Sequence, residues 1–244
     1  MPRFTAAATV VSQRQRGRTG PATRTRSAPR GVPYPLRVSK RKFNPHAVKD
    51  ADASARSPSG GARFVSRGGI KLDAAIEHFG LDLTGWVGAD LGCSTGGFVD
   101  CQLQRGATKV YAVDTAYGEL AWTLRNDHRV VVIERSNALH TDPPDGAVCD
   151  LVSLDLGWTR QEKAIPAALR WLNDLAAARI VTLIKPHYES GRHGMTDVEA
   201  DAETRRVVDD VLPGLGVEVL GHVRSPIHGG KGGNMEHLAL LRRR

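Results

Sequence analysis

From about residue 63 onward, short apolar runs alternate with amphipathic stretches, and that alternation leaves few folds open to this chain. The runs at 86–90, 109–114, 130–134, 151–155 and 180–185 are dominated by Val, Ile, Leu and Ala and predict buried strands. Between them, 97–105, 118–125, 162–176 and 197–211 predict helices. A leading helix is expected over 70–79, with Ile70, Ala74, Ala75, Ile76 and Phe79 as its apolar positions. Two further strands, 217–223 and 238–241, close the series. Strands separated by helices imply a parallel sheet covered on both faces, an α/β fold.

Charge is divided unevenly along the chain. Residues 1–49 hold 12 of the 34 Lys and Arg and none of the 26 Asp and Glu, so the rest is net −4, with 22 basic against 26 acidic side chains. Residues 1–60 are rich in Arg, Ser, Thr, Pro, Ala and Gly and short of large apolar groups. Such a segment cannot offset its ordering entropy by burial, and it is expected to be a disordered basic tail before a folded domain at 61–244. Three uses are open for it: an arm that meets phosphate backbones, an Arg-rich organelle transit peptide, or a plain solvated tail. No apolar run approaches the roughly 20 residues that span a bilayer, so no membrane partner is expected. Cys93, Cys101 and Cys149 form no C-x-x-C pair, which argues against a disulfide framework or a zinc site and for a reducing, cytoplasmic setting. No metal ligand cluster is expected either.

Open α/β sheets bind ligands beyond the carboxyl ends of their strands. The first strand ends in Asp90-Leu91-Gly92-Cys93-Ser94-Thr95-Gly96-Gly97-Phe98. Glycines there let a ligand lie against the backbone, and the following helix N-terminus offers N–H donors. With the Asp90 carboxylate beside those donors, the loop suits an amino-acid-like ligand carrying an ammonium and a carboxylate. A dinucleotide fits poorly, because Ser94 stands where the G-x-G-x-x-G fingerprint needs its second Gly, and no Gly-Lys-Ser/Thr P-loop is present. Asp114 ends the second strand 22 residues after Gly92, where an acid can accept ribose hydroxyls; it could equally cap a helix. Asn137, past the third strand, is either a partner for an adenine edge or a turn residue. The stretch Asp142-Pro143-Pro144-Asp145 resembles the loop of amino-group methyltransferases but lacks its aromatic residue and precedes the fourth strand, so a turn is expected.

The fourth strand ends at Asp155 and the fifth at Lys185, both above the same cleft. A Lys closing a run as apolar as 180–184 needs a partner, and Asp155 is the obvious one. Lys71 opens the leading helix, and Glu236 follows the glycine-rich loop 228–233. Taken in order, 66–72 (SRGGIKL), 90–114 (DLGCSTGGFVDCQLQRGATKVYAVD), 117–125 (YGELAWTLR), 131–138 (VVIERSNA), 150–156 (DLVSLDL), 183–189 (LIKPHYE) and 225–238 (SPIHGGKGGNMEHL) resemble the hemolysin-A-type branch of the FtsJ-like ribose methyltransferases. These stretches cover nearly all of the expected domain.

The resemblance implies a Rossmann-like sheet of seven strands, mostly parallel with the last antiparallel, and helices on both faces. It implies S-adenosyl-L-methionine as cofactor, held by Asp90, Gly92, Ser94, Thr95, Gly96, Gly97, Phe98, Asp114, Asn137 and Asp155. It also implies transfer of a methyl group to a ribose 2′-hydroxyl of RNA, with ribosomal RNA as partner, by a catalytic set of Lys71, Asp155, Lys185 and Glu236. Asp155 and Glu236 are expected to orient Lys185 on the hydroxyl, with Lys71 helping to hold it. Members of that family usually begin with a small RNA-binding domain, and the Arg-rich segment stands in its place here. Three rivals remain at this point: a methyltransferase acting on another acceptor, a non-catalytic RNA-binding or ribosome-assembly protein with the same fold, and a nucleotide-dependent dehydrogenase.

Overall fold

The structure, a computed structural model, describes residues 62–230 and 233–244; the expected tail lies outside them. A leading helix α1 (Gly68–Phe79) precedes β1 (Val87–Leu91), α2 (Gly97–Gln104), β2 (Lys109–Val113), α3 (Trp122–Arg125) and β3 (Val130–Ile133). The second half runs β4 (Leu151–Leu154), α4 (Gln161–Trp171), β5 (Arg179–Ile184), α5 (Pro186–Ser190), α6 (Asp197–Arg206), β6 (Val217–Arg224) and β7 (His237–Arg243). Together the strands make one sheet in the order β3-β2-β1-β4-β5-β7-β6. β1 to β5 pair in parallel, and β7 runs antiparallel between β5 and β6. This is the expected Rossmann-like arrangement of seven strands.

Local chemistry sets the element ends. α1 stops at Gly80, whose φ of 64° permits the left-handed turn in which Leu81 N–H returns to Ile76 O at 3.0 Å. α6 starts on a capping box: Thr196 Oγ1 accepts from Glu199 N–H, and the Glu199 carboxylate accepts from Thr196 N–H. β5 is buried along its whole length, as a central strand covered on both faces must be. One face of the sheet packs Ile165, Trp171, Ile180 and Leu212 together; the other packs Leu72, Ile76 and Phe98 against Leu151 and Val181. Each fully buried Leu or Ile contributes about 1.5–3 kcal/mol of transfer free energy.

Several expected spans differ. The helix expected to 176 ends at Trp171, because Cys149 N–H takes Trp171 O and Asn173 N–H takes Cys149 O, drawing the chain into a bridge beside β4. The expected helix 197–211 is α-helical only to Arg206. A π turn at Val207–Val211 and a 3-10 turn at Leu212–Leu215 follow, the latter around Pro213, which cannot donate to an α-helical ladder. Of 118–125 only Trp122–Arg125 is helical. α5, opened by Pro186 at its first position, was not foreseen. Among the described residues no helix is long and apolar enough to cross a membrane. The three thiols are buried and unbridged.

Strand order reverses between β1 and β4: the chain leaves β1 toward β2 and β3 on one side and fills β5 on the other. A crevice must open there, beyond the carboxyl ends of β1 and β4.

Candidate active site

A cleft of about 510 Å³ occupies that crevice. It brings together Asp90, Gly92, Ser94, Thr95, Gly97 and Phe98 of the first loop with Lys71 of α1 and Asp155 at the end of β4. Ser66, Arg67, Gly68, Cys93, His228 and Gly230 complete the lining and were not singled out from the sequence, although the SRGG and glycine-rich stretches contain five of them. The Arg67 guanidinium ties the two stretches together, donating to His228 O at 2.8 Å.

The glycines of the first loop serve the packing of the protein itself. A Cβ on Gly97 would lie 2.7 Å from Gly69 N, so Gly97 lets the start of α1 close on the loop. One on Gly92, whose φ is 91°, would lie 3.0 Å from Asp155 O, holding the ends of β1 and β4 apart. Gly96 (φ 98°) faces Leu124 in the same way. Four loop amides are already taken: Gly92 and Cys93 donate to Val113 O, Gly96 to Cys93 O, and Ser94 to Asp114 Oδ2 at 2.7 Å. The donors expected at the N-terminus of α2 begin at Gly97, after these four. Asp114 does not line the cleft. It also accepts from Ala116 N–H at 2.8 Å, so its carboxylate braces the loop rather than capping a helix. Asn137 is exposed and outside the lining; its Oδ1 accepts from Leu139 N–H at 3.0 Å, which is the turn use.

Asp90 is the most sheltered charge in the cleft, 1 % exposed. Burial above all, with the carboxylates of Asp155 and Asp114, pushes its carboxyl up to about 8 against a hydrogen bond donated by Ser153 that lowers it. A buried acid with no cation beside it among the described residues, at a cleft of this size, fits a small ligand that brings an ammonium.

On the other rim four charges form a chain of alternating sign. Lys185 Nζ lies 2.5 Å from Asp155 Oδ1. Asp155 Oδ2 lies 4.0 Å from Lys71 Nζ, and Lys71 donates to Glu236 Oε2 at 2.6 Å. All four are at least partly shielded, Glu236 at 4 % and Lys71 at 8 % exposure. Glu236 was expected to orient Lys185; its partner is Lys71 instead. The residue sits just ahead of β7, which the sheet places beside β5, and from there it meets α1. The loop backbone packs onto it, since a Cβ on Gly229 would lie 2.3 Å from Glu236 Oε1. Lys185 and Glu236 stand behind the lining rather than in it, each touching a residue that lines the cleft.

Beside Lys185 lies an aromatic pair that sequence reasoning missed. Trp158 is 78 % exposed and sits in the left-handed region at φ 55°, unusual for so bulky a residue. It stacks on Tyr188 with ring centroids 4.7 Å apart and 29° between planes, and Lys185 Nζ lies 5.6 Å from the Tyr188 ring. A lone Trp in a turn carries no periodic signal, which is why the sequence did not disclose it.

The chain matches the FtsJ-like methyltransferase family over residues 64–237. It is 38% identical over 203 residues to the 16S/23S rRNA (cytidine-2′-O)-methyltransferase TlyA of Mycobacterium tuberculosis (strain ATCC 25618 / H37Rv), covering 80% of this chain and 75% of that protein. With YqxC, a candidate rRNA methyltransferase of Bacillus subtilis (strain 168), it shares 36% identity over 189 residues, 73% of this chain and 66% of YqxC. Among solved structures, a candidate hemolysin from Streptococcus thermophilus superposes with a TM-score of 0.69 at 35% identity, covering 75% of this chain and 68% of that one. The family match runs from the residues ahead of α1, through the loop under Asp90, to the start of β7, and so takes in both rims of the cleft; on that ground the chain belongs to the FtsJ-like methyltransferase family.

Proposed function

We propose that this protein transfers a methyl group from S-adenosylmethionine to a ribose 2′-hydroxyl of RNA, and that ribosomal RNA is the substrate. The observation that carries the reading is the chain Lys185–Asp155–Lys71–Glu236 on the rim of a cleft whose other wall holds the buried Asp90. S-adenosylmethionine supplies, when bound, a sulfonium methyl open to in-line displacement by an oxygen. Asp90 would receive its ammonium, the first loop would lie along it, and Asp114 and Asn137 stand at the ends of β2 and β3, on the side where a nucleoside would extend.

A ribose hydroxyl is a weak nucleophile and needs its proton drawn away as the new bond forms. Lys185 Nζ, placed by Asp155, takes up that proton as the 2′-oxygen accepts the methyl group. Lys71, fixed by Glu236, adds a second cation next to Asp155 and so keeps the rim from becoming net acidic. Both lysines are held by carboxylates with little access to water, which preserves their placement between turnovers. Exposed Trp158, stacked on half-buried Tyr188 beside Lys185, offers a face on which an unpaired base can stack, favouring a nucleotide displaced from helical RNA. The relatives' names point to ribosomal RNA as the source of that nucleotide.

The test is incubation with radiolabelled S-adenosylmethionine and ribosomal RNA lacking modification, followed by alkaline hydrolysis. Label at one nucleotide that resists cleavage on its 3′ side supports the reading, because a 2′-O-methyl group removes the nucleophile of hydrolysis. Label at an alkali-sensitive position would move the acceptor from ribose to a base. Cofactor binding with no label on RNA or on intact ribosomal subunits would favour the non-catalytic rival.

A further inference from the structure

Between α2 and the sheet runs a line of polar groups sealed from solvent. Gln102 on α2 and Ser153 on β4 are both fully buried. Gln102 Nε2 donates to Ser153 Oγ at 2.9 Å, and the Ser153 hydroxyl donates to Asp90 Oδ1 at 2.7 Å. Ser153 lies opposite Asp90 in the β1–β4 register, so the hydroxyl reaches the carboxylate without distortion of either strand. Space for the amide comes from Gly88, where a Cβ would sit 1.9 Å from Gln102 Oε1. That oxygen is buried and has no hydrogen-bond partner among the described residues.

Beside it in the sheet stand apolar residues, Leu151 next to Gly88 and Val181 next to Ser153, both buried. An amide with an orphaned oxygen there costs stability, and an apolar side chain of similar volume would not. Sites where packing is sacrificed in this way are commonly functional. Asp90 is the member of this line that faces the cleft. Gln102 also decides where the serine proton goes. By donating to Ser153 Oγ it leaves the hydroxyl a choice of two acceptors, Asp90 Oδ1 at 2.7 Å and Ala89 O at 3.3 Å, and the carboxylate is nearer.

We propose that Gln102 and Ser153 are positioning residues for cofactor binding: the amide orients the hydroxyl, and the hydroxyl holds the Asp90 carboxylate in the rotamer that receives the ammonium of S-adenosylmethionine. This rests on the cofactor reading given above. The same hydroxyl favours the charged form of Asp90 against burial and against the acids that face it, Asp114 beyond β2 and Asp155 beyond β4. The other titratable residues of the lining, among the described residues, are Cys93, Lys71, Arg67 and His228. Losing the hydroxyl therefore moves the pH at which Asp90 becomes an anion upward.

Calorimetric titration of S-adenosylmethionine into the full-length protein, beside Ser153→Ala, Gln102→Met and Ser153→Thr, tests this, with thermal unfolding of each. Ser153→Ala is expected to weaken binding about tenfold, the usual loss for a hydrogen bond to a charged group, and Gln102→Met by less. The loss should fall on KM for the cofactor more than on kcat, and the rise of affinity with pH should shift to higher pH. Ser153→Thr, which keeps the hydroxyl, should recover most of the affinity. Gln102→Met should unfold at or above the wild-type temperature while binding more weakly, a pairing of signs that a merely structural role does not produce. Wild-type binding matched by both variants would overturn the proposal alone, as would a loss of affinity that follows a lowered unfolding temperature. A wild type that fails to bind S-adenosylmethionine would overturn the cofactor reading and this proposal together.

Discussion

The two walls of the cleft are built on different principles. The wall under β1 is backbone: glycines at positive φ, amides bonded to Val113 O and Asp114, and one buried carboxylate. The wall above β4 and β5 is side chain: two lysines and two acids from four distant segments, and an aromatic pair whose Trp158 is exposed. A backbone wall holds its shape without a partner and suits a ligand that is the same in every turnover. A wall of ion pairs can redistribute charge and suits the changing charge of a reaction. It also depends on each partner being present, because removing one leaves the other buried and uncompensated.

The largest effect expected from breaking this division is on the reactive wall. Lys185→Ala should lower kcat by on the order of 10³-fold, the middle of the range for loss of proton-transfer assistance, while cofactor affinity changes by no more than about twofold. Single-turnover kinetics beside cofactor titration check this, and retained turnover would remove Lys185 from the chemistry. Next, Glu236→Ala leaves Lys71 with Asp155, 4.0 Å away, as its remaining acid and should cost about 1–3 kcal/mol in denaturant unfolding. A loss near zero would mean that water reaches Lys71 freely.

On the binding wall, Asp90→Asn should weaken the cofactor roughly 10- to 100-fold, as expected for loss of a charge-assisted bond, with a smaller change in kcat. Its stability should also respond to pH in a defined direction. Folding raises the Asp90 carboxyl from 3.8 to about 8, so the folded protein holds a proton there that the unfolded chain has released. Stability without cofactor therefore falls as pH rises from about 4 to about 8. Asp90→Asn should remove that slope, seen as the difference between the two unfolding profiles. Taking the difference matters, because Glu189, lifted to about 7 by burial, acts in the same direction, and His237, lowered to about 4, acts in the opposite one. The smallest effect is expected at the rim: Trp158→Ala should raise KM for RNA about fivefold or more, the lower end for loss of one base stack, and leave cofactor binding as it was. An unaltered KM would take the aromatic pair out of substrate recognition.

Much of this was legible in the sequence for a local reason. A strand, the glycines after it and the charge at its end are consecutive residues, so Asp90 with its loop and Asp155 and Lys185 at their strand ends could be named directly. Helix ends were less legible where another segment captured them, as Cys149 does at Trp171. Gln102 was hidden for a related reason. On a short amphipathic helix a Gln reads as surface, and only the packing of α2 over Gly88 shows that it is inside.

The sequence by itself determined the α/β alternation, the glycine-rich loop after β1 and the charges at the strand ends, because each is written in residues that are neighbours along the chain. The tertiary structure alone decided how those charges pair. Glu236 meets Lys71 across 165 residues, and it does so because β7 enters the sheet antiparallel between β5 and β6. The same holds for the Gln102–Ser153–Asp90 line, whose members are 51 and 63 residues apart. Contacts at such separations follow from how the whole core closes, and no periodicity in the chain encodes them.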